Sequence, residues 1–136
     1  MQAISVHEFG APEVMRLEEL PDPKPGPGEV VVEIRAAGVN PVDTYLRSGA
    51  YHPDLPLPYP PGIDGAGIIT EVGPGVKHRK VGEQVYVAWC LTGTYAGKTL
   101  CRDFQPQPLA HNVPFSQGAA IGGPYGYALS SIFQRA

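Results

Sequence analysis

The sequence predicts a mainly β domain with short helical additions, and three observations predict it. Glycine and proline number 17 and 16, so roughly a quarter of the chain is turn-forming residue. Between them run short branched apolar stretches, such as Val30-Val31-Val32 and Ile68-Ile69. That alternation fits strands bounded by turns, not a disordered segment. The 136 residues are enough for one domain with its own hydrophobic core.

Taken in order, residues 2–7 and 14–20 read as two strands around a turn at Gly10-Ala11-Pro12. The run from Pro21 to Gly28 reads as a rigid loop that leads into a strand. Glu29 to Ala37 is the strongest strand, with Val30, Val32 and Ile34 alternating against Glu33 and Arg35. Asn40-Pro41-Val42-Asp43 then has the chemistry of a helix start: a capping amide, a proline suited to the first position and an anion at the positive end. Gly49 marks the stop of a helix only about two turns long, which needs tertiary support. Residues 50–62 form a proline-rich surface loop. Strands follow at Gly65 to Val72, Gln84 to Trp89 and Gly93 to Cys101. Ser116 is a candidate cap for a short helix through Ala120, and Gly122-Gly123-Pro124 should break it. From Tyr125 to Ala136 the apolar residues Tyr125, Ala128, Leu129, Ile132 and Phe133 fall at helical spacing.

Charge excludes several classes of function. The net charge is −3, and the one basic run, Lys77-His78-Arg79-Lys80, reads as a solvated turn, so no nucleic-acid partner is expected. No stretch is long and apolar enough for a membrane span, and Met1 to Gly10 has no signal-peptide pattern. The expected compartment is the cytoplasm. Two cysteines, Cys90 and Cys101, make no disulfide framework. A cross-strand bridge between them competes with free thiols, and the expected compartment favours the thiols.

Three stretches in register carry a resemblance. They are Ala37 to Gly49 (AGVNPVDTYLRSG); Pro60 to Gly67 (PPGIDGAG), continued by Val72 to Val76 and Val81 to Val85; and Gln117 to Gly122 with Pro124-Tyr125. Together they resemble the medium-chain dehydrogenase/reductase superfamily, and within it the N-terminal domain of the quinone oxidoreductase (zeta-crystallin) group. The resemblance covers essentially the whole chain. It implies a GroES-like, partly open β-barrel with short helices over residues 1–122. It also implies that residues 123–136 start a helix leading to a Rossmann domain, so the chain is expected to be truncated before its dinucleotide-binding half.

The same resemblance implies hydride transfer from NADPH to a quinone, without metal. Zinc members of the superfamily place a cysteine where Asn40 stands here and a histidine-glutamate pair around Ile63-Asp64. Those ligands are missing, and the four histidines are dispersed. By motif, Asn40 and Tyr45 become cofactor-binding candidates. Asn40 offers an amide, and Tyr45 a flat apolar wall with one donor or acceptor. Asp43, Asp64, Tyr125 and Tyr127 are candidates for the substrate cleft. Plainer roles stay open beside these. Asn40 also fits as a helix cap, Tyr45 as a packed aromatic and Asp43 as a helix-start charge. Asp64 is favoured as a turn residue, and Gly62, Gly65 and Gly67 as backbone devices.

Two departures from the family pattern bear on cofactor contact. Tyr127 stands where the family has a threonine near the nicotinamide, and Gly97 where it often has a glutamate. The glycines from Gly118 to Gly126 make no phosphate-binding fingerprint, since no strand leads into them. A chain without the Rossmann half is therefore expected to bind NADPH weakly or not at all. The alternatives are a stand-alone, non-catalytic interaction module exposing an apolar face, or the N-terminal domain of a non-zinc enoyl reductase. A homo-oligomer is left open.

Overall fold

In the computed structural model, which describes residues 1–133, strands dominate as expected. β1 (Gln2–Val6) pairs antiparallel with β2 (Met15–Glu19) in a two-stranded sheet. A five-stranded antiparallel sheet is built from β3 (Glu29–Gly38), β4 (Asp64–Val72), β5 (Gln84–Ala88), β6 (Lys98–Arg102) and β7 (Gln107–Pro108), in the order β6-β3-β4-β5-β7. The helices are α1 (Pro41–Arg47), α2 (Phe115–Gly118) and α3 (Gly122–Phe133), with one 3₁₀ turn at Pro12–Val14. No helix among the described residues is long and apolar enough to cross a membrane.

β3 owes its place to branched side chains. Val30, Val31 and Val32 are all fully buried, so the strand is apolar on consecutive positions instead of strictly alternating. That suits a central strand paired on both edges, with β4 and β6. One core cluster joins Val30, Val32, Ile69, Val85, Val87 and Cys101. Each such valine or isoleucine contributes about 1.5–3 kcal/mol by leaving water. A second, smaller cluster of Ala66, Leu109 and Ala119 seats α2 on the sheet. Close approach requires glycine here: a Cβ on Gly67 would stand 1.9 Å from the Glu33 carbonyl oxygen.

The sheet curls but does not close. Beyond β5 the chain meets β6 again, where the Leu91 N–H donates to the Leu100 carbonyl at 2.8 Å. This contact brings the two sides of the sheet together at one end and makes the barrel partly open. The short helix α1 gains the tertiary support its length demands. The Gly10 N–H donates to the Arg47 carbonyl at 3.0 Å, and Arg47 Nε donates back to the Gly10 carbonyl at 3.2 Å. Gly49 ends the helix at φ 76°, a left-handed conformation that glycine adopts freely.

Three local expectations are corrected. The strand expected from Gly93 begins only at Lys98. Gly93 packs against the proline loop, with Thr94 and Tyr95 donating to the Gly62 and Pro61 carbonyls, so these two N–H groups bond outside the five-stranded sheet. The short C-terminal-half helix is capped by Pro114, and Ser116 lies inside it. Gly122-Gly123-Pro124 forms the first turn of α3 and so starts a helix; a proline is tolerated there because first-turn N–H groups have no intrahelical acceptor. The rest of the expected terminal helix is present to Phe133, and its last residues, 134–136, lie outside the described residues.

Candidate functional site

The end of β3, the start of α1 and the first residue of β4 converge on a knot of buried polar groups. Asn40 ends the extended run and caps α1. Its backbone N–H donates to Asp43 Oδ2 at 2.8 Å, the returning half of a capping box. Its side-chain amide donates to Asp64 Oδ2 at 3.0 Å. The other Asp64 oxygen accepts the N–H of Gly123 at 2.9 Å, in the first turn of α3. Tyr95 donates its hydroxyl to Asp43 Oδ2 at 3.2 Å, and the Thr94 hydroxyl donates to the Asp64 carbonyl at 2.8 Å. Four segments far apart in sequence are thereby tied together.

Both carboxylates are almost fully buried. Burial pushes the Asp43 carboxyl above its ordinary value, against the opposing hydrogen bonds from Asn40 and Tyr95. Asp64 is also raised, first by burial and further by the nearby charge of Asp43, while Asn40 and Gly123 hold it down. Burial and the same Asp43 charge raise the phenols of Tyr95 and Tyr59. Asp43 Oδ1 is buried with no hydrogen-bond partner, an uncompensated cost to the charged carboxylate.

Two hollows lie on either side of Pro61. Asp43 and Tyr95 line a small one of about 160 Å³, closed by Val39, Thr44 and Arg47. The larger, about 560 Å³, is walled by Leu46, Tyr59, Ile63 and Trp89 and has a mostly apolar surface. A third groove, about 350 Å³, runs between α3 and the edge formed by β5 and β7 and includes Tyr86, Tyr125 and Leu129.

The sequence candidates thus separate into two groups. Asn40, Asp43 and Asp64 are brought together. Asp64 is not a turn residue: it opens β4 and is buried because an amide and a backbone N–H satisfy both its oxygens. Tyr45 stands on α1 with half of its surface in solvent, Tyr125 lines the groove on α3, and Tyr127 is exposed on the same helix. Tyr95 and Tyr59 were not foreseen. Tyr95 lies two residues before Gly97, one of the departures from the family pattern, but its 52-residue separation from Asp43 follows no local rule.

Positions 40 and 64, which the resemblance aligns with metal-ligand positions of zinc members, do meet, but as an amide-carboxylate pair. Among the described residues no group of three or more His, Cys, Asp or Glu could hold a metal ion. For a dinucleotide the fit is partial. The exposed aromatics and the Asn40 amide suit a flat ring, whereas the one N–H of the α3 first turn near the site, that of Gly123, is already given to Asp64 and is not free for a phosphate.

Residues 26–129 match the alcohol dehydrogenase GroES-like domain family. The chain is 44% identical over its whole length to quinone oxidoreductase of Rattus norvegicus, of which it covers 42%. Among solved structures it superposes on the Escherichia coli quinone oxidoreductase complexed with NADPH with a TM-score of 0.86 and 34% identity, covering 99% of this chain and 41% of that one. A human synaptic vesicle membrane protein VAT-1 homolog-like protein gives a TM-score of 0.95 at 25% identity, over 100% of this chain and 44% of that one. The chain therefore spans well under half the length of the relatives it matches.

Proposed function

The chain belongs to the alcohol dehydrogenase GroES-like domain family, and from that premise we propose that it forms the N-terminal half of a zinc-independent NADPH:quinone oxidoreductase. The observation that carries the reading is whole-chain similarity to quinone oxidoreductases, one of them solved with NADPH, on a chain whose metal-ligand positions hold the Asn40–Asp64 pair. In this reading residues 1–122 are the GroES-like unit, and residues from 123 onward lead toward a Rossmann domain.

NADPH, when bound, supplies the hydride, and the protein's part is to orient and to exclude water. Asp64 fixes the Asn40 side chain, so that its amide presents one orientation to the cleft. Asp43, held by the Asn40 N–H and by Tyr95, fixes the start of α1 and with it the direction of Tyr45. The half-exposed Tyr45 phenol then offers a flat wall for the cofactor ring. The apolar hollow beside Trp89 and Ile63 is of a size to take a quinone ring.

The exposed apolar face of α3 supports the same reading. Tyr125, Leu129, Ile132 and Phe133 are all mostly in solvent, as a surface meant to be covered would be. It equally suits a non-catalytic interaction module, and activity separates the two. A chimera in which residues 1–136 replace the matching part of the rat quinone oxidoreductase should oxidise NADPH when a quinone is added. A chimera that folds and binds NADPH but reduces no quinone would favour the interaction module.

A further inference from the structure

The two cysteines lie at the seam of the barrel. Cys101 sits within β6 and is fully buried against Val30, Val32 and Val85. Cys90 lies two residues beyond β5, is half-buried and lines the larger apolar hollow. Their sulfurs are 2.7 Å apart, with Cys101 donating to Cys90. The neighbouring backbone holds them there. Leu91 donates to the Leu100 carbonyl at 2.8 Å, so the segment after β5 lies against β6. Trp89, just before Cys90, is locked at φ 54°, and its N–H is donated to the Ile63 carbonyl at 2.9 Å.

We propose that Cys90 and Cys101 form a reversible, peroxide-sensitive dithiol that staples the open side of the barrel beside the larger hollow. The proposal stands on the sulfur geometry and the burial of the two thiols, and is independent of the quinone reading.

Access decides the order of events. A hydroperoxide can reach the sulfur of Cys90 through the hollow, whereas Cys101 is enclosed by valines. Cys90 gives up its proton and its thiolate attacks the peroxide; the O–O bond breaks, Cys90 becomes a sulfenic acid, and the leaving hydroxide takes up that proton as the first water. The hydrogen bond to Cys90, together with burial, raises the Cys101 thiol above its ordinary value, so Cys101 keeps its proton until that point. The Cys101 sulfur then attacks the sulfenic sulfur, the S–O bond breaks, and the Cys101 proton leaves with the hydroxide as water. In balance, two thiols and one hydrogen peroxide give one disulfide and two waters. A dithiol reductant reverses the change.

The test uses the full 136-residue chain and hydrogen peroxide. The expected product has a mass lower by about 2 Da, as two hydrogens are lost, and no thiol left for maleimide. Trypsin should yield peptide 81–98 joined to peptide 99–102, and dithiothreitol should release them. In Cys101→Ala the sulfenic acid on Cys90 should persist and be trapped by dimedone. If that core variant does not fold, the peptide map of the unaltered chain decides alone. Two maleimide-reactive thiols after peroxide, a sulfinic acid on Cys90 without cross-link, or a disulfide between two chains would each overturn the proposal.

Discussion

At its two ends the α3 region inverts the usual arrangement of a small domain. Around Gly123, where the helix begins, two carboxylates are taken out of water. Along the rest of the helix, Tyr125, Leu129, Ile132 and Phe133 are left in it. The sheet core obeys the ordinary rule, with valines inside. The polar knot costs desolvation, offset in part because three of its four carboxylate oxygens accept a hydrogen bond. The apolar face gains nothing for the domain alone. Folding explains neither feature by itself, and their adjacency is why this edge is the candidate site.

Breaking the knot should have the largest effect. Asp64→Ala leaves the Asn40 amide and the Gly123 N–H without an acceptor, and should lower stability by about 2–4 kcal/mol, read from the urea midpoint. Loss of a single contact should cost less. Tyr95→Phe removes one donor from Asp43 and should destabilise by about 1 kcal/mol.

Asp43→Asn sharpens the comparison through pH. In the folded chain the Asp43 carboxyl titrates above its ordinary value of 3.8, so the native state holds more protons than the unfolded one in that window. Its contribution is therefore most favourable below the ordinary value and falls as pH rises through the raised one. The stability of Asp43→Asn relative to the parent should thus increase from about pH 4 to pH 7. Denaturation series at matched salt would check it; a constant difference would mean that the burial cost is not felt at Asp43.

The apolar face should respond least. Leu129→Ser on exposed α3 should change stability by less than about 0.5 kcal/mol, while lowering binding of an apolar dye. A large destabilisation would mean that the face packs within the domain after all.

The same contrast separates what was legible in the sequence from what was not. β3 and α1 were legible because alternation, capping and a left-handed stop act over a few residues: Val30 to Ile34, Asn40 to Asp43, Gly49. Motif resemblance singled out positions 40 and 64 as candidates, and the structure adds that they meet. The burial of Asp64 and the Tyr95–Asp43 contact were not legible, because they depend on segments 52 and 59 residues apart in sequence. The start of β6 was misplaced for a related reason: Thr94 and Tyr95 bond the proline loop and β1, and the segment reaches β3 only at Gly97, whose carbonyl accepts from Ile34. The proline at position 124 looked like a breaker because its place in a first turn depends on where the helix begins.

In the proposed function, the knot orients the face on which the cofactor and quinone would meet. The most direct measurement is the NADPH-dependent quinone reduction rate of the rat chimera, with and without Asn40→Ala. The parent should be active, and kcat/KM should fall about ten- to a hundredfold in the variant from lost orientation, with the fold retained by circular dichroism. A folded variant as active as its parent would contradict it.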